Sequence, residues 1–146
     1  RDTGHIVNIA SAAGTFPPPL SEPYAASKAG LIGFTESVRL SARLDGKRVS
    51  ASVIAPGYMD DAGMYEDMKP HARRAPWFIG SLPAEDLADL TMKVIEKDLP
   101  FKYLMPGIPT FLQVMVTVAP RLMEWMMLKL QMFGPLIDTA RYRNSN

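Results

Sequence analysis

Two short runs rich in β-branched residues, "HIVNIAS" (5–11) and "RVSASVIAPG" (48–57), constrain the fold of this chain more than any other feature. Both are apolar at nearly consecutive positions, the pattern of a strand covered on both faces. Between them lie Gly14 and Pro17, Pro18, Pro19 and Pro23, which make a loop, and then a stretch of helical periodicity. A connection that long, with a helix in it, joins parallel strands rather than a hairpin. The helix is expected over "YAASKAGLIGFTESVRLSARL", with Ala25, Ala29, Ile32, Val38, Leu40 and Leu44 at helical spacing. Ser21 suits its N-cap, Pro23 its first turn and Gly46 its C-terminal cap.

Residues 58 to 82 read as irregular, with a basic "HARR". Proline and acids then open a helix from about Ala84 to Asp98, and "FKYLMPG" reads as a third short strand. The segment "IPTFLQVMVTVAPRLMEWMMLKLQMFGPL" predicts two helical pieces broken at Pro120, and "DTARYRNSN" a frayed polar tail. Strand, helix, strand, helix, strand predicts an α/β fold with a parallel sheet of about three strands and right-handed crossovers. The 146 residues, 47% apolar, suffice for one domain with a core. Residues 1–107 would hold the sheet, and 108–146 an apolar helical extension and tail of the same domain.

Sixteen basic against fifteen acidic residues leave a net charge of +1, which offers no footprint for nucleic acid. Cysteine is absent, which excludes disulfides and thiolate metal sites and is compatible with a reducing, cytoplasmic compartment. His5 and His71 lie far apart and read as solvated or capping residues, so no metal site is expected. Arg73 and Arg74 read as an exposed loop, with binding of an acidic substrate group as the minor alternative. No signal peptide is visible after Arg1.

In a parallel α/β sheet, ligands bind outside the carboxyl ends of the strands. Ser11 ends the first strand, Pro56 and Gly57 end the second, and Tyr24 and Lys28 open the helix that faces the same rim. Spacing by four puts Tyr24 and Lys28 on one helical face. An ammonium beside a phenol favours the phenolate, and the pair can then exchange a proton with an alcohol or carbonyl. Ser11 can hold the substrate oxygen and stabilise charge developing there. Such a centre has no electron sink of its own, so redox chemistry requires a cofactor. The bland alternative is a surface Tyr–Lys pair and a strand-end hydroxyl.

These residues resemble the C-terminal half of a short-chain dehydrogenase/reductase, a doubly wound Rossmann-like fold. That family's Tyr-x-x-x-Lys is Tyr24-Ala-Ala-Ser-Lys28, and its catalytic serine, thirteen residues earlier, is Ser11 in "IVNIASAAG". Its Pro-Gly after the next strand is Pro56-Gly57. The likeness is closest over residues 4 to 57 and looser to about 107. It implies Tyr24 as general acid/base, Lys28 on the nicotinamide ribose, and Ser11 on the substrate oxygen. It also implies backbone around Pro56, Gly57 and Met59 lining the nicotinamide pocket of NAD or NADP. The implied activity interconverts an alcohol and a ketone or aldehyde.

Three departures qualify the resemblance. The family's Gly-x-x-x-Gly-x-Gly phosphate loop, its Asn-Ala-Gly strand and its catalytic asparagine do not occur in the sequence. The chain is therefore expected to be an N-terminally truncated piece that binds dinucleotide poorly by itself and is inactive alone. Where the family often places a carboxamide-binding threonine, this chain has Asp61, whose carboxylate cannot donate a hydrogen bond. Either Asp61 points away or backbone makes that contact. Lastly, the strand of "HIVNIAS" is flanked in the family by a strand not present here, so one apolar edge is expected to be bare and the isolated chain poorly soluble.

Residues 103 to 120 carry no charge, but Pro106, Gly107, Pro109 and Pro120 argue for a strand plus a core helix over a membrane span. From Arg121 to Phe133, Leu122, Met123, Met126, Met127, Leu130 and Phe133 are expected on one side of a helix. Three uses compete for this Met-rich surface: a lid over a hydrophobic substrate, a homo-oligomer interface, or peripheral membrane contact through residues 108–134. Family members with apolar C-terminal extensions often act on lipid-like substrates, which implies a hydrophobic alcohol or carbonyl here. The rival class is a non-catalytic α/β remnant that associates with a subunit or with lipid.

Overall fold

The structure, a computed structural model, describes residues 3–77, 79–105 and 109–145. Strands β1 (Thr3–Ile9), β2 (Arg48–Pro56) and β3 (Phe101–Leu104) form one parallel sheet in the order β1-β2-β3. Register runs from Thr3 opposite Arg48 to Ile9 opposite Ile54, and from Val53 opposite Phe101 to Pro56 opposite Leu104. In β2, every residue from Ala51 to Pro56 is buried, so both of its faces are covered. β1 is hydrogen-bonded to β2 alone among the described residues, and its Ile6 and Ile9 remain 47% and 38% exposed. Continuous apolarity thus marks double coverage in β2 but not in β1.

Helix α1 (Glu22–Leu44) makes the first crossover and packs on β2. It ends where Gly46 takes a φ of +65°, with Gly46 N–H donating to Arg43 O and Lys47 N–H to Ala42 O. That pairing satisfies two carbonyls of the last turn. Ser21 occupies the N-cap position, but its side chain makes no capping bond there. Pro23 reduces the need for one, having no N–H to satisfy. Helix α3 (Ala84–Glu96) stops two residues before the expected Asp98, because Asp98 itself turns to a φ of +49° and Leu99 N–H closes onto Val94 O.

At the N-terminal end of the sheet, the buried Arg39 of α1 joins three elements. Its guanidinium donates to Ser50 Oγ, Ala51 O, Asp98 Oδ1 and Asp98 O at 2.7–2.9 Å. Ser52 donates to Leu99 O, which leaves its oxygen to accept from His5 Nε2 at 2.7 Å. His5 is therefore a packed hydrogen-bonding residue, with its side chain 14% exposed, and not a solvated one. The expectation failed because burial of position 5 depends on Ser52 and Asp98, which are remote in sequence.

Residues 58 to 82 are not uniformly irregular. They hold helix α2 (Met64–Met68), which buries Tyr65 and Met68, and a parallel bridge between Met59 and Leu82. A five-residue helix is too short for periodicity to reveal. The C-terminal segment folds as α4 (Pro109–Val118), α5 (Pro120–Lys129) and α6 (Gly134–Ser145). The break at Pro120 is as expected. The helix expected to reach Phe133 ends instead at Lys129, where Gln131 takes a φ of +50° and reverses the chain. Leu122 and Leu130, expected on the apolar side, are 48% and 45% exposed.

The tail is a helix and not a frayed end. Arg73 holds Asp138 through Nε at 2.7 Å and Nη2 at 3.1 Å and also donates to Gln131, while His71 stacks on Tyr142. Arg73 is therefore a tie between loop and tail, a pairing that sequence spacing does not signal. Ile79, Met123 and Met132 form a buried cluster against which Leu112, Met127 and Phe133 pack. Among the described residues no helix is long and apolar enough to cross a membrane. The expected extension of the third strand through Pro106 and Gly107 lies outside the described residues.

Hydrogen bonds from Arg39 and then Ser50 lower the Asp98 carboxyl from its ordinary 3.8 to about 2. As pH falls, the unfolded chain takes up this proton first. The contribution is thus complete above 3.8 and is lost as pH drops through about 2. Urea titrations over that window will show falling stability, and Asp98→Asn, which tolerates the same backbone conformation, will flatten the slope. A second test concerns Gly14, where a Cβ would lie 2.8 Å from the Lys28 carbonyl carbon and 2.9 Å from Ala29 N. Gly14→Ala should destabilise by about 1–3 kcal/mol in chemical denaturation. Gly30→Ala, in open space within α1, should instead stabilise by about 0.5–1 kcal/mol.

Candidate active site

The end of β1 passes into a short turn. Ala10 N–H extends the ladder to Ile54 O at 2.8 Å, and Ser11 then caps the 3₁₀ turn Ala12–Gly14. Ser11 Oγ accepts from Ala13 N–H at 3.2 Å, so its own hydroxyl proton remains available to donate. Gly14 lets this turn press against the backbone of α1 at Lys28 and Ala29, because any side chain there would overlap it. The contact fixes the distance between the loop bearing Ser11 and the helix bearing Tyr24 and Lys28.

Tyr24 and Lys28 are both half-buried in the first two turns of α1. Lys28 Nζ lies 3.4 Å from Ile9 O, at the end of β1, and 5.7 Å from the centre of the Tyr24 ring. The carbonyl holds the ammonium at the sheet edge and leaves it further protons to donate. The N-terminus of α1 adds a positive partial charge on the same side, favouring negative charge that develops nearby.

Ser11, Tyr24, Pro56, Gly57 and Met59 line one cavity of about 240 Å³. Five of the six residues singled out in the sequence thus share a wall, and the sixth, Lys28, stands beside Tyr24. Gly57 N–H donates to Leu104 O at 2.8 Å, so it prolongs the sheet before the chain turns. Asp61 Oδ1 accepts from Ala84 N–H at 2.7 Å, capping α3. Of the two alternatives for Asp61, the carboxylate facing away from the cavity is the one realised.

The rest of the cavity wall was not singled out. Tyr58 comes from the loop after β2, Tyr65 and Met68 from α2, Met132 and Phe133 from the turn before α6, and Leu136 from α6. Burial, with Tyr65 beside it, pushes the Tyr58 hydroxyl well above its usual range, so it stays a neutral donor and points to Met132 O at 3.5 Å. The Met-rich composition of the C-terminal segment was the available signal for an adaptable apolar wall. Nothing in the sequence showed that this segment returns to the carboxyl rim of the sheet. A mostly apolar cavity with a few convergent polar groups is the usual form of a small-molecule site.

Comparison with known proteins agrees with the fold. The family model for short chain dehydrogenase matches residues 1–73. The chain is 38% identical over 96 residues to ketoacyl reductase HetN of Nostoc sp., covering 66% of this chain and 32% of that protein. It is 33% identical to mouse (Mus musculus) 15-hydroxyprostaglandin dehydrogenase (NAD(+)), covering 65% and 39%. Retinol dehydrogenase 10-B of Danio rerio is 34% identical over 118 residues, covering 80% and 34%. The chain thus spans about a third of the length of these relatives. A solved short chain dehydrogenase from Burkholderia cenocepacia, in complex with NADP, shares the fold with a TM-score of 0.64 at 19% identity, covering 88% of this chain and 47% of that one. The match of family model and relatives, laid over a parallel sheet whose carboxyl rim gathers Ser11, Tyr24 and Lys28, places the chain in the short chain dehydrogenase family.

Proposed function

We propose that this chain is the catalytic part of an NAD- or NADP-dependent oxidoreductase that interconverts an alcohol and a ketone or aldehyde on a hydrophobic substrate. The observation that carries this reading is the single cavity shared by Ser11, Tyr24 and the Pro56–Gly57 turn, with Lys28 against Tyr24. Related proteins point the same way: their names include a ketoacyl reductase and a hydroxyprostaglandin dehydrogenase, and solved neighbours hold NADP or NAD.

The donor set fits the ribose and nicotinamide end of such a cofactor. Lys28, with protons free beyond Ile9 O, would hold ribose hydroxyls together with Tyr24, and backbone at Pro56, Gly57 and Met59 would flank the ring. When bound, the nicotinamide supplies or accepts the hydride, for which this chain has no group of its own. Ser11 donates its free proton to the substrate oxygen and fixes its place. Tyr24 Oη gives a proton to the carbonyl oxygen in reduction and takes it from the alcohol in oxidation. Lys28, positively charged beside the ring, stabilises the phenolate left in the reductive direction. Apolar residues around these groups exclude water and strengthen each of these interactions.

A second reading, a non-catalytic module that binds a subunit or lipid, is favoured by one observation. Val114, Val118, Leu122, Trp125 and Leu128 of α4 and α5 are 48–74% exposed.

Tyr24→Phe in the full-length protein should reduce turnover of alcohols by about 10²–10⁴-fold, with stability retained. Ser11→Ala should lower turnover as well, through loss of a donor to the developing oxyanion. Undiminished turnover in Tyr24→Phe overturns the mechanism. Absence of nicotinamide binding and turnover, together with co-sedimentation on lipid vesicles that depends on residues 108–146, favours the second reading.

A further inference from the structure

A second space adjoins the catalytic cavity. A groove of about 610 Å³ runs along the loop Pro17–Pro19 and helices α5 and α6, with Val116, Met123, Met127, Leu128 and Ile137 supplying its apolar surface. Among the described residues, Phe133 alone lines both the groove and the cavity. The loop between Ser11 and Tyr24 also serves both, with Phe16 on the cavity and Pro17 to Pro19 on the groove. The two spaces are therefore neighbours across one aromatic ring.

The backbone around that ring is fixed. Arg73 donates to Gln131, two residues before Phe133, and to Asp138, five residues after it. Gly134 is required for this tie, because a Cβ there would lie 2.6 Å from Arg73 Cδ. Phe133 stands half-buried between these two ties. The groove rim carries both signs, with Glu22 and Glu124 against Arg141, while Arg73 is already paired with Asp138. Such a rim selects no charged tail and suits a neutral one. The cavity alone, at about 240 Å³, is smaller than the ~300–1,000 Å³ of most small-molecule sites, and the groove brings the site into that range.

We infer that the groove is the tail subsite of the catalytic cavity and that Phe133 is the partition that sets chain length. The substrate class is a neutral alcohol or ketone with an unbranched aliphatic chain, whose reacting carbon sits at Ser11 and Tyr24 and whose chain passes Phe133. This inference rests on the proposed reading of Ser11 and Tyr24 as the reacting end.

The test is a series of secondary alkanols from butanol to tetradecanol, with binding followed by calorimetry and turnover with NAD and NADP in the full-length protein. Wild-type affinity should rise about two- to fourfold per methylene, the upper figure being ~0.8 kcal/mol of burial. Phe133→Trp should end that rise at short chains. Leu128→Glu, at a groove position 61% exposed and so safe for folding, should weaken the long alkanols alone. Equal binding of butanol and tetradecanol, or wild-type chain-length dependence in both variants, overturns the inference. Turnover without chain-length dependence refutes the subsite and leaves the oxidoreductase reading intact. Chain-length-dependent binding without any turnover supports the subsite and refutes that reading.

Discussion

A buried guanidinium ties the sheet together at the end remote from the cavity. Arg39 is 4% exposed, and it stays there because every direction it points in offers an acceptor: Ser50 and Ala51 on β2, and the carboxylate and carbonyl of Asp98 after α3. A charge this far from water persists only when paired and hydrogen-bonded. The result couples α1 to β2 and to the turn that launches β3. His5 and Ser52 extend the same network to β1. With the strand starts held, the parallel register delivers the strand ends to one level at the opposite rim.

At that rim the controlling element is steric. Gly14 brings the loop after β1 into contact with the α1 backbone at Lys28, and Lys28 in turn reaches Ile9 O. Ser11 lies on a different element from Tyr24 and Lys28, yet their relative positions follow from one close approach and one polar contact. The C-terminal segment completes the cavity by a second set of constraints. Proline breaks α4 from α5, Gln131 reverses the chain, and Arg73 binds α6 through Asp138. Met132, Phe133 and Leu136 are thereby carried back over the loop that follows β2.

The legible parts of the fold were those governed by local pattern. Both long strands, the crossover helix, its glycine stop and the helix after Pro83 lie where apolar periodicity and capping residues put them, to within two residues. The candidate site was equally legible, since the carboxyl rim of a parallel sheet is set by strand direction and Ser11, Tyr24, Lys28, Pro56 and Gly57 are all tied to strand or helix ends. What failed depended on contacts between segments distant in sequence. His5 is buried by Ser52, and the tail is helical because Arg73 holds Asp138, 65 residues further along the chain, and His71 stacks on Tyr142.

By itself the sequence determined the parallel α/β framework, the direction of its strands and the rim at which Ser11, Tyr24 and Lys28 gather. These follow from strand apolarity, from helix termini and from the length of a crossover, all of which act over a few residues. Only the tertiary structure decided which side chains close the cavity and that a groove adjoins it at Phe133. It also decided that Asp61 turns away to α3. Those outcomes depend on where a chain reversal at Gln131 and an ion pair between Arg73 and Asp138 bring the last helix, and no local pattern encodes the meeting of two distant segments.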